Sequence, residues 1–353
     1  MLGSGVLVLG IESSCDETAS AVVRDGLTVL SSVVASQEDL HREYGGVVPE
    51  IASRAHERAI LPVVRSAVER GGVSPAEIDA IAVGHRPGLI GSLLVGVSAA
   101  KAAAWSLGKP LIGVDHVHAH LHAAMLGAEQ DKVDTSYPAL GLVVSGGHTS
   151  LYRVDSSTEL TRLGATIDDA VGEAYDKVAT ILGLDYPGGP ALDKLAQEDG
   201  ANARAHEFPI SRLGRESLDF SYSGLKTAVL YAVRGVPGKD KARNAADLSE
   251  SQRRDVAASF QRAAVGALTL KLGRALGHVP GCRTVIVGGG VSANSLLRGE
   301  AQAFVDTHGL GLRIPEMTYC VDNAAMIAGL GAVLLARGEA SGLDLEAVPT
   351  TAC

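Results

Sequence analysis

The chain has 353 residues, of which 46% are hydrophobic and only 4% aromatic, and it contains 42 glycines. This composition excludes a disordered or collagen-like protein and predicts a glycine-punctuated α/β protein large enough for two domains. The formal net charge is −9, and the four cysteines, Cys15, Cys282, Cys320 and Cys353, form no Cys-x-x-Cys pair. Scattered cysteines are typical of a reduced cytoplasmic protein rather than of a secreted disulfide scaffold.

Apolar runs predict five strands in the first part of the chain, at residues 6–11, 19–23, 27–34, 81–83 and 111–114. Helical patterns cover residues 49–70 and 92–107, and residues 12–18 and 84–91 predict a polar turn and a loop. The alternation of strand and helix is that of a doubly wound sheet.

Two apolar segments in this part of the chain invite a membrane interpretation. Residues 6–11 are too short, and lack the basic lead, for a signal peptide. Residues 89–107 are long and apolar, but Lys101 and the Gly and Ser content predict a buried helix rather than a membrane span. We expect no membrane contact.

Four histidines, His116, His118, His120 and His122, follow the strand at 111–114 and begin a helix. Residues four apart share a helix face, so His116 with His120, or His118 with His122, could bind one cation. In an extended chain all four would share a face. The spacing predicts a metal without selecting the pair, and solvated histidines at a polar helix start are the alternative.

A zinc peptidase has the same spacing as His116 and His120, but no Glu follows His116 as in His-Glu-x-x-His. Without a positioned base, we expect a metal to bind substrate oxygens rather than to activate water. The Gly-x-Ser-x-Gly turn of serine hydrolases is also absent from the sequence.

The second part of the chain repeats the opening pattern after a polar stretch at residues 130–137, which predicts a domain boundary. Its predicted strands lie at residues 139–144, 150–154, 160–163 and 284–287. A small-residue turn at 145–149 matches the turn after the first strand. The repeat predicts duplication of one α/β unit with a nucleotide cleft between the halves.

Further helices are predicted at residues 166–182, 249–276 and 323–335. Thr166 with Asp169 three residues later predicts an N-cap, Asn294 is expected to open another helix, and Asp322 precedes the last helix. Residues 234–244 read as an exposed connection.

Glycine-rich turns at residues 145–148, 187–189 and 288–290 are each expected to follow a buried strand. Their bare backbone amides, with a following helix, could bind phosphate or a nucleobase. The glycines of the loop at 185–190 would permit positive φ. None of these turns matches Gly-x-Gly-x-x-Gly or Walker A.

Charge is unevenly distributed along the chain. Residues 201–283 contain 14 Lys and Arg against 7 Asp and Glu, a local charge of +7 that leaves −16 for the remainder. Such an asymmetry indicates a surface that faces phosphates, and a solvated helix face is the alternative.

Seven segments that span the chain in order carry recognisable motifs. They are residues 10–18 (GIESSCDET), 44–50 (YGGVVPE), 144–149 (VSGGHT), 168–170 (DDA), 176–177 (DK), 186–190 (YPGGP) and 320–327 (CVDNAAMI). Together they resemble the TsaD/Kae1 family, in particular its bacterial branch. These are the tRNA N6-threonylcarbamoyladenosine transferases, once described as O-sialoglycoprotein endopeptidases.

The resemblance implies an α/β actin-like ATPase (ASKHA) fold, with two ribonuclease-H-like domains flanking a nucleotide and metal cleft. We expect the first domain to contain residues 1–130 and about 322–353, and the second residues 131–321. The resemblance also selects His116, His120 and Asp322 as ligands of one divalent metal, Fe²⁺ in preference to Zn²⁺, and leaves the other two histidines as bystanders.

The same resemblance implies contacts with a nucleotide-linked substrate, threonylcarbamoyl-AMP or an ATP-type nucleotide. The contacts expected are Val143, Val144, Ser145, Gly146, Gly147, Asp176, Gly189, Asp193 and Asn294. Asp16 and Glu17 are expected near the phosphates or a cation, and Gly288, Gly289 and Gly290 beside the adenosine. His148 or Asp176 could relay a proton.

The implied reaction moves the threonylcarbamoyl group to N6 of adenosine 37 in tRNAs that read ANN codons. The basic region at 201–283, with Arg253 and Arg254, is then the expected surface for the anticodon loop. Expected partners are homologues of TsaB and TsaE, and the expected assembly is a heterocomplex or a homodimer. A metal-dependent endopeptidase and a nucleotide-binding module without chemistry are the alternatives.

Two departures from the family pattern stand out. His85 and Arg86 precede Pro87, where the family usually has a Gly before Pro-Gly-Leu, so Arg86 brings bulk and charge to that loop. The metal helix carries Val117, His118 and Ala119 where many relatives have a Glu. The second departure leaves the expected ligands in place.

Overall fold

The computed structural model describes residues 5–211, 213–239 and 243–350, so Cys353, together with Arg212 and Lys241 of the basic region, lies outside the described residues. The strands are β1 (Leu7–Glu12), β2 (Glu17–Arg24), β3 (Thr28–Ser36), β4 (Ala80–Arg86), β5 (Leu111–Asp115), β6 (Ala139–Val144), β7 (Thr149–Val154), β8 (Leu160–Ala165), β9 (Thr284–Gly288) and β10 (Gly311–Arg313). The α-helices are α1 (Glu38–Arg42), α2 (Pro49–Gly71), α3 (Ile90–Leu107), α4 (His116–Ala123), α5 (Gln130–Asp134), α6 (Val171–Ile181), α7 (Gly188–Ala196), α8 (Ser223–Arg234), α9 (Glu250–Leu276), α10 (Ser295–His308) and α11 (Ala324–Ala336). Short 3-10 turns cover Pro75–Glu77, Ala245–Asp247, Gly290–Ala293 and Met317–Tyr319.

One compact unit, unit 1, contains residues 5–137, 154–160 and 313–350 of the described chain. Its sheet has the order β3-β2-β1-β4-β5, in which β1 pairs antiparallel with β2 and parallel with β4. Alternate side chains of these strands point to opposite faces. Leu9 and Ile11 therefore pack with α2 and α3, while Val8 packs with α4 and α11. Burial of each such side chain contributes roughly 1.5–3 kcal/mol.

The long helices of unit 1 begin and end where the sequence predicts. Pro49 is the first residue of α2, and Gly72 ends the helix in the left-handed region with φ 65°. Helix α3 is long and apolar enough to cross a membrane by length and composition, among the described residues. Leu93, Val97 and Ala100 of this helix are buried in unit 1, whereas Leu94 and Trp105 are exposed, so the helix is buried on one face and not throughout as predicted.

Small residues bring α11 unusually close to the sheet. A Cβ atom at Gly10 would overlap the carbonyl oxygen of Ala324 and lie 2.9 Å from Cβ of Ala328. Glycine at position 10 is therefore required for close approach rather than for backbone freedom. This packing fixes the start of α11, and with it Asp322, against the central strand.

The other compact unit, unit 2, contains residues 138–153, 161–211, 213–239 and 243–312 of the described chain. Its sheet has the order β10-β9-β6-β7-β8, with β6 and β9 parallel. If the five strands of each sheet are numbered in chain order, both sheets have the order 3-2-1-4-5. The predicted internal repeat is therefore confirmed. Helix α9, capped by Ser249, is the long core helix, and its Phe260 packs edge-on against Tyr175 at 5.0 Å between ring centroids.

Two local predictions of element bounds were wrong. Strand β4 continues to Arg86, because Gly84 and Arg86 pair with Val114 and Asp115 of β5, so the loop expected at 84–91 is shorter. Helix α6 begins at Val171 rather than Thr166, because Thr149 Oγ1 accepts the hydrogen bond of the Val171 N–H.

The acidic pair that suggested a helix cap has another role. Asp168 accepts hydrogen bonds from the N–H of Tyr222 (2.8 Å) and the hydroxyl of Ser223 (2.8 Å), and Asp169 forms ion pairs with Lys177 and Lys226. Both carboxylates thus tie the segment before α6 to α8. The expected domain limits, 1–130 with 322–353 and 131–321, stay a prediction.

Candidate metal centre

The first turn of α4 fixes the direction of the histidine side chains. Asp115, the last residue of β5, is its N-cap, and Oδ1 accepts hydrogen bonds from the N–H groups of Val117 (3.0 Å) and His118 (3.2 Å). Such a cap stabilises a helix by about 1 kcal/mol. The helix therefore starts at His116, and His120 follows one turn later on the same side.

The imidazoles of His116 and His120 are buried and lie side by side. Their ring centroids are 4.6 Å apart, at an interplanar angle of 78°. The backbone periodicity alone would also allow His118 and His122 to pair. The structure instead separates them, because His122 Nε2 donates to the carbonyl of Gly26 (3.0 Å), whereas His118 is partly exposed beside Asp115.

Asp322 reaches these imidazoles from the segment before α11. Asn323 caps that helix: its Oδ1 accepts from the N–H of Met326 (3.0 Å), and its Nδ2 donates to the carbonyl of Val321 (2.8 Å). With the backbone held on both sides, Asp322 Oδ1 lies 3.2 Å from His120 Nε2 and 3.5 Å from His116 Nε2.

The three groups satisfy the requirements of a metal site. One ligand atom from each of His116, His120 and Asp322 lies within 4.8 Å of the other two. Among the described residues, these three side chains form the one group that could hold a metal ion. His120 Nε2 is buried, and although Asp322 Oδ1 lies 3.2 Å away, this nitrogen forms no hydrogen bond of acceptable geometry among the described residues. An orphaned imidazole nitrogen beside a carboxylate fits an ion with ligand distances of about 2.0–2.2 Å.

Electrostatics in the cluster couple the carboxylate to the imidazoles. Burial acts to raise the pKa of Asp322, but the adjacent His116 and His120 outweigh it and hold that pKa well below its usual range. Burial acts to lower the pKa of His116, and Asp322 and Glu12 overcome it and raise that pKa well above its usual value. Burial lowers the pKa of His120, which favours the neutral, metal-binding imidazole.

The acidic turn between β1 and β2 lies in the same electrostatic field. Burial, and then the negative charges of Asp322 and Asp16, raise the pKa of Glu17 well above its usual range. Burial, with Asp16 next, likewise raises the pKa of the Cys15 thiol. The family resemblance placed Asp16 and Glu17 near the phosphates or a cation, and the structure puts Glu17 in the electrostatic surroundings of Asp322, a candidate metal ligand. A divalent cation would relieve this excess of negative charge.

In unit 2, the turns at residues 145–148 and 288–290 meet at the ends of two parallel strands. Val143 of β6 pairs with Gly288 of β9. Gly289 has φ 96°, and a Cβ atom there would lie 2.7 Å from the carbonyl carbon of Val144, so only glycine fits. Gly146 and Gly147 are exposed, with open space where a Cβ would lie. The carboxyl ends of parallel strands are where α/β folds bind ligands.

The third glycine turn differs from the prediction. Residues 187–189 follow helix α6 rather than a strand, and α7 already begins at Gly188, so the loop ends early and these glycines are not in the left-handed region. Asp176 Oδ1 accepts hydrogen bonds from the N–H groups of Gly188 (2.9 Å) and Gly189 (3.3 Å). The expected proton relay Asp176 therefore holds the start of α7.

Asp193 and Asn294 also form contacts within unit 2. Asp193 accepts hydrogen bonds from Gln261 Nε2 (2.9 Å), the Ser295 hydroxyl (2.7 Å) and the Ser295 N–H (3.1 Å). Asn294 caps α10 by accepting from the Leu297 N–H (3.0 Å) and donates to Gln261 Oε1 (3.2 Å). These two residues lie in one network that joins α7, α9 and α10.

His148 lies in the turn after β6, where its N–H donates to Ser145 Oγ (3.1 Å).

Comparison with known proteins decides the family. A sequence profile described as TsaD, tRNA N6-adenosine threonylcarbamoyltransferase, matches residues 28–329. Relatives with this name from Sorangium cellulosum, Symbiobacterium thermophilum and Anaeromyxobacter dehalogenans are each 50% identical to the chain. The alignments cover 98%, 97% and 97% of this chain and 96%, 96% and 98% of the three relatives. The chain belongs to the tRNA N6-adenosine threonylcarbamoyltransferase family. The predicted family and acyltransferase class are thereby confirmed.

Solved structures show the same fold at low sequence identity. HypF from T. kodakarensis matches with a TM-score of 0.59 and 18% identity over 97% of this chain and 49% of that chain. Component A of the (R)-2-hydroxyglutaryl-CoA dehydratase of Acidaminococcus fermentans matches with a TM-score of 0.51 and 14% identity over 94% and 99% of the two chains. With two five-stranded mixed sheets, these likenesses confirm the predicted actin-like α/β fold.

For this threonylcarbamoyltransferase, the departure at Arg86 has a structural explanation. Arg86 Nε lies 3.3 Å from Asp115 Oδ2, so the arginine contacts the residue that caps the metal helix. His85 Nδ1 donates to the carbonyl of Glu346 (2.9 Å) and holds the segment that follows α11. Both side chains therefore support the surroundings of α4.

The basic region of this threonylcarbamoyltransferase is less uniform than its sequence suggested. Arg253 and Arg254 are half-buried and donate to the carbonyls of Leu182 (2.9 Å) and Asp199 (2.9 Å), so they make internal contacts. The exposed basic residues of the region, among its described residues, are Arg204, Arg215, Arg234, Lys239, Arg243 and Arg283, of which Arg243 also donates to the carbonyl of Ala232 (3.2 Å). The choice of Arg253 and Arg254 as the leading tRNA contacts is not supported by this burial.

The sequence pattern assigned no role to Glu12 and Ser14, which also lie beside the candidate ligands. Glu12 is completely buried, and both side chains are 3.1 Å from His116 Nδ1. The available signal was a single carboxylate at the end of an otherwise apolar strand. Its partner could not be identified, because His116 is far away in the sequence.

Proposed function

We propose that this enzyme transfers the threonylcarbamoyl group of threonylcarbamoyl-AMP to N6 of adenosine 37 in tRNAs that read ANN codons. The observation that carries the proposal is 50% identity to relatives named for this transfer over nearly the whole chain. The complete set of candidate metal ligands in unit 1 supports it. The family assignment also favours a transferase over the endopeptidase alternative.

In this reaction N6 forms a bond to the carbamoyl carbon while the bond from that carbon to the phosphate oxygen breaks. AMP leaves, and one proton is lost from N6. N6 is a weak nucleophile because its lone pair is delocalised into the adenine ring. The main contributions expected of the protein are therefore orientation of the two substrates and stabilisation of charge on the carbonyl oxygen.

His116, His120 and Asp322 would hold the divalent ion. When bound, the ion supplies a Lewis acid that can bind the oxygens of the threonylcarbamoyl group. Two imidazoles and one carboxylate with open positions are the ligand set of non-haem Fe²⁺ sites, and three protein ligands also suit Zn²⁺. On this ground we propose Fe²⁺ with Zn²⁺ as the alternative.

Unit 2 would bind the nucleotide through its glycine turns. The exposed backbone of Gly146 and Gly147 can donate N–H groups to substrate oxygens, and Gly288 to Gly290 would lie beside the adenosine. Asp193 and Asn294 would act by holding α7 and α10 in place. Asp176 and His148 remain candidates for accepting the N6 proton, and Asp176 has in addition a structural role at α7.

The exposed arginines and lysine of the basic region are the proposed surface for the anticodon loop. Single-stranded loops are read with their bases accessible, while the phosphates determine most of the affinity. A local excess of positive charge on an acidic protein predicts weak binding by the isolated chain. We therefore propose that it acts in the cytoplasm with TsaB and TsaE homologues, and that it forms a heterocomplex or a homodimer.

The test is mass analysis of tRNA nucleosides after incubation of the protein with threonylcarbamoyl-AMP, the partner proteins and an ANN-reading tRNA transcript. We expect the modified adenosine with the wild-type protein, and none with a transcript that carries guanosine at position 37. His116→Ala should abolish the product. Cleavage of a glycoprotein by the wild-type protein, with tRNA left unmodified, would overturn the proposal.

A further inference from the structure

A completely buried carboxylate ends the central strand of unit 1. Glu12 is the last residue of β1, and none of its surface is exposed. The strand before it is apolar, so this single charged group has to be stabilised by specific partners. An ionised carboxylate without such partners would cost several kcal/mol in free energy of folding.

Its two oxygens have different partners. Oε1 accepts a hydrogen bond from the Ser14 N–H at 2.5 Å, which closes the turn after β1. Oε2 lies 3.1 Å from Nδ1 of His116. The hydroxyl of Ser14 lies 3.1 Å from the same nitrogen. Nδ1 is thus enclosed by Glu12 and Ser14, while the other ring nitrogen points to Asp322.

This arrangement selects one form of the imidazole. An ionised carboxylate only accepts hydrogen bonds, so Nδ1 must carry the proton that Oε2 accepts. A charged acceptor also forms a stronger hydrogen bond than the neutral hydroxyl of Ser14. In the neutral imidazole, which is the form that binds a metal, Nε2 then carries the lone pair, directed at the position where the ion would bind.

The neighbouring strand makes room for the carboxylate. A Cβ atom at Gly84 of β4 would overlap Glu12 Oε2 and lie 3.2 Å from Glu12 Cδ. Any larger residue at position 84 would push the carboxylate away from His116. The contact between Glu12 and His116 therefore depends on a glycine in a strand that contributes no metal ligand.

The second histidine has no comparable support. Nδ1 of His120 is buried and has no hydrogen-bond partner among the described residues. Orientation by a carboxylate is therefore confined to His116. We propose that Glu12 is a positioning residue of the metal centre, which holds His116 with Nδ1 protonated and Nε2 available to the ion. This inference rests on the proposed metal site.

The experiment is titration of the metal-free full-length protein with Zn²⁺ alone and with Co²⁺ alone, for the wild type, Glu12→Gln and Gly84→Ala. Loss of an orienting partner typically weakens metal binding 10–100-fold. We expect a change of about this size in both variants, and altered visible absorption bands of bound Co²⁺. Wild-type affinity and an unchanged Co²⁺ spectrum in both variants would overturn the inference.

Ser20→Ala is the matched control. It removes a buried hydroxyl of β2 that donates to the Gly10 carbonyl of β1, without a contact to either histidine. We expect its metal affinity to stay within about twofold of the wild type. Equal losses in Ser20→Ala and Glu12→Gln would show that general loosening of the sheet, and not orientation of His116, weakens the site.

A second measurement needs no variant of Glu12 and so does not depend on its folding. Long-range ¹H–¹⁵N spectra of Zn²⁺-loaded wild-type protein report which ring nitrogen carries the proton, with His116 assigned by comparison with His116→Gln. We expect a proton on Nδ1, and a proton on Nε2 would overturn the inference.

If the wild type binds neither ion, the proposed metal site itself fails. If the wild type binds an ion while Glu12→Gln and Gly84→Ala bind it equally well, only the positioning role fails.

Discussion

Oδ1 of Asp322 lies 3.2 Å from Nε2 of His120, although one residue precedes the last helix and the other belongs to α4. The proximity is produced by two capped helices. Asp115 fixes the start of α4, and Asn323 fixes the start of α11 directly after Asp322. The close packing of α11 on Gly10 then holds the carboxylate beside the imidazoles.

Removal of a ligand should abolish metal binding without unfolding the protein. We expect Asp322→Asn and His120→Ala to bind less than a tenth of the Fe²⁺ or Zn²⁺ bound by the wild type, because three protein ligands become two. Metal content after anaerobic loading, measured by plasma mass spectrometry, checks this. His122→Gln is the control: it lies on the same helix but outside the cluster, and full metal content is expected. Metal loss in all three variants would contradict the assignment.

We expect Asp193 to contribute mainly to the stability of the folded protein. It accepts three hydrogen bonds that join α7, α9 and α10, so Asp193→Ala should lower the free energy of unfolding by about 1–3 kcal/mol. Urea denaturation measures the change. The exposed Asp306→Ala on α10 should change it by less than about 0.5 kcal/mol. Weakened nucleotide binding by Asp193→Ala with unchanged stability would show a direct ligand contact instead.

Much of the fold could be predicted because its signals are local. The strand repeat, the helix from Pro49 to Gly71 and the cap at Asn294 each depend on neighbouring residues, and the structure confirms them. The start of α6 could not be predicted. Thr166 and Asp169 carry the pattern of a cap, but the residue that binds the first N–H of the helix is Thr149, in a strand.

The same difference between local and distant signals determines which parts of the candidate site could be predicted. Spacing on one helix offered two histidine pairs and could not choose between them, since the choice depends on Asp322 and on Gly26, which are distant in sequence. Glu12 was missed for the same reason. The charge count located a basic region, but only burial shows that Arg253 and Arg254 face internal carbonyls while Arg234 and Lys239 face solvent.

Charge reversal at Arg234 and Lys239 should weaken tRNA binding. Each lost phosphate contact lowers the slope of log affinity against log salt concentration by about 0.7–0.9. We expect weaker binding and a shallower slope for the double variant Arg234→Glu with Lys239→Glu, measured by filter binding over a range of salt concentrations. Arg65→Glu with Arg70→Glu, an equal charge change on exposed positions of α2, is the control. Equal effects of the two double variants would mean that only net charge matters.

His56 should make the protein sensitive to acid. It is completely buried; its Nε2 donates to the carbonyl of Cys15 (3.0 Å), and Nδ1 lies 2.7 Å from the Thr18 hydroxyl. Burial lowers its pKa below the usual value, despite the opposing effect of the Cys15 carbonyl. The unfolded chain therefore binds more protons than the folded chain below about pH 6.5. The free energy of unfolding decreases as the pH is lowered through that range.

His56→Gln keeps a donor for the Cys15 carbonyl but has no group that titrates in this range. We expect it to lower the free energy of unfolding by about 1 kcal/mol at pH 7.5 through the less favourable contact with Thr18. Between pH 7.5 and 5.5 the variant should lose less stability than the wild type, as measured by urea denaturation at each pH. His308→Gln, on the exposed side of α10, should follow the wild-type profile. A wild-type profile in His56→Gln would show that burial of this imidazole does not determine the acid sensitivity.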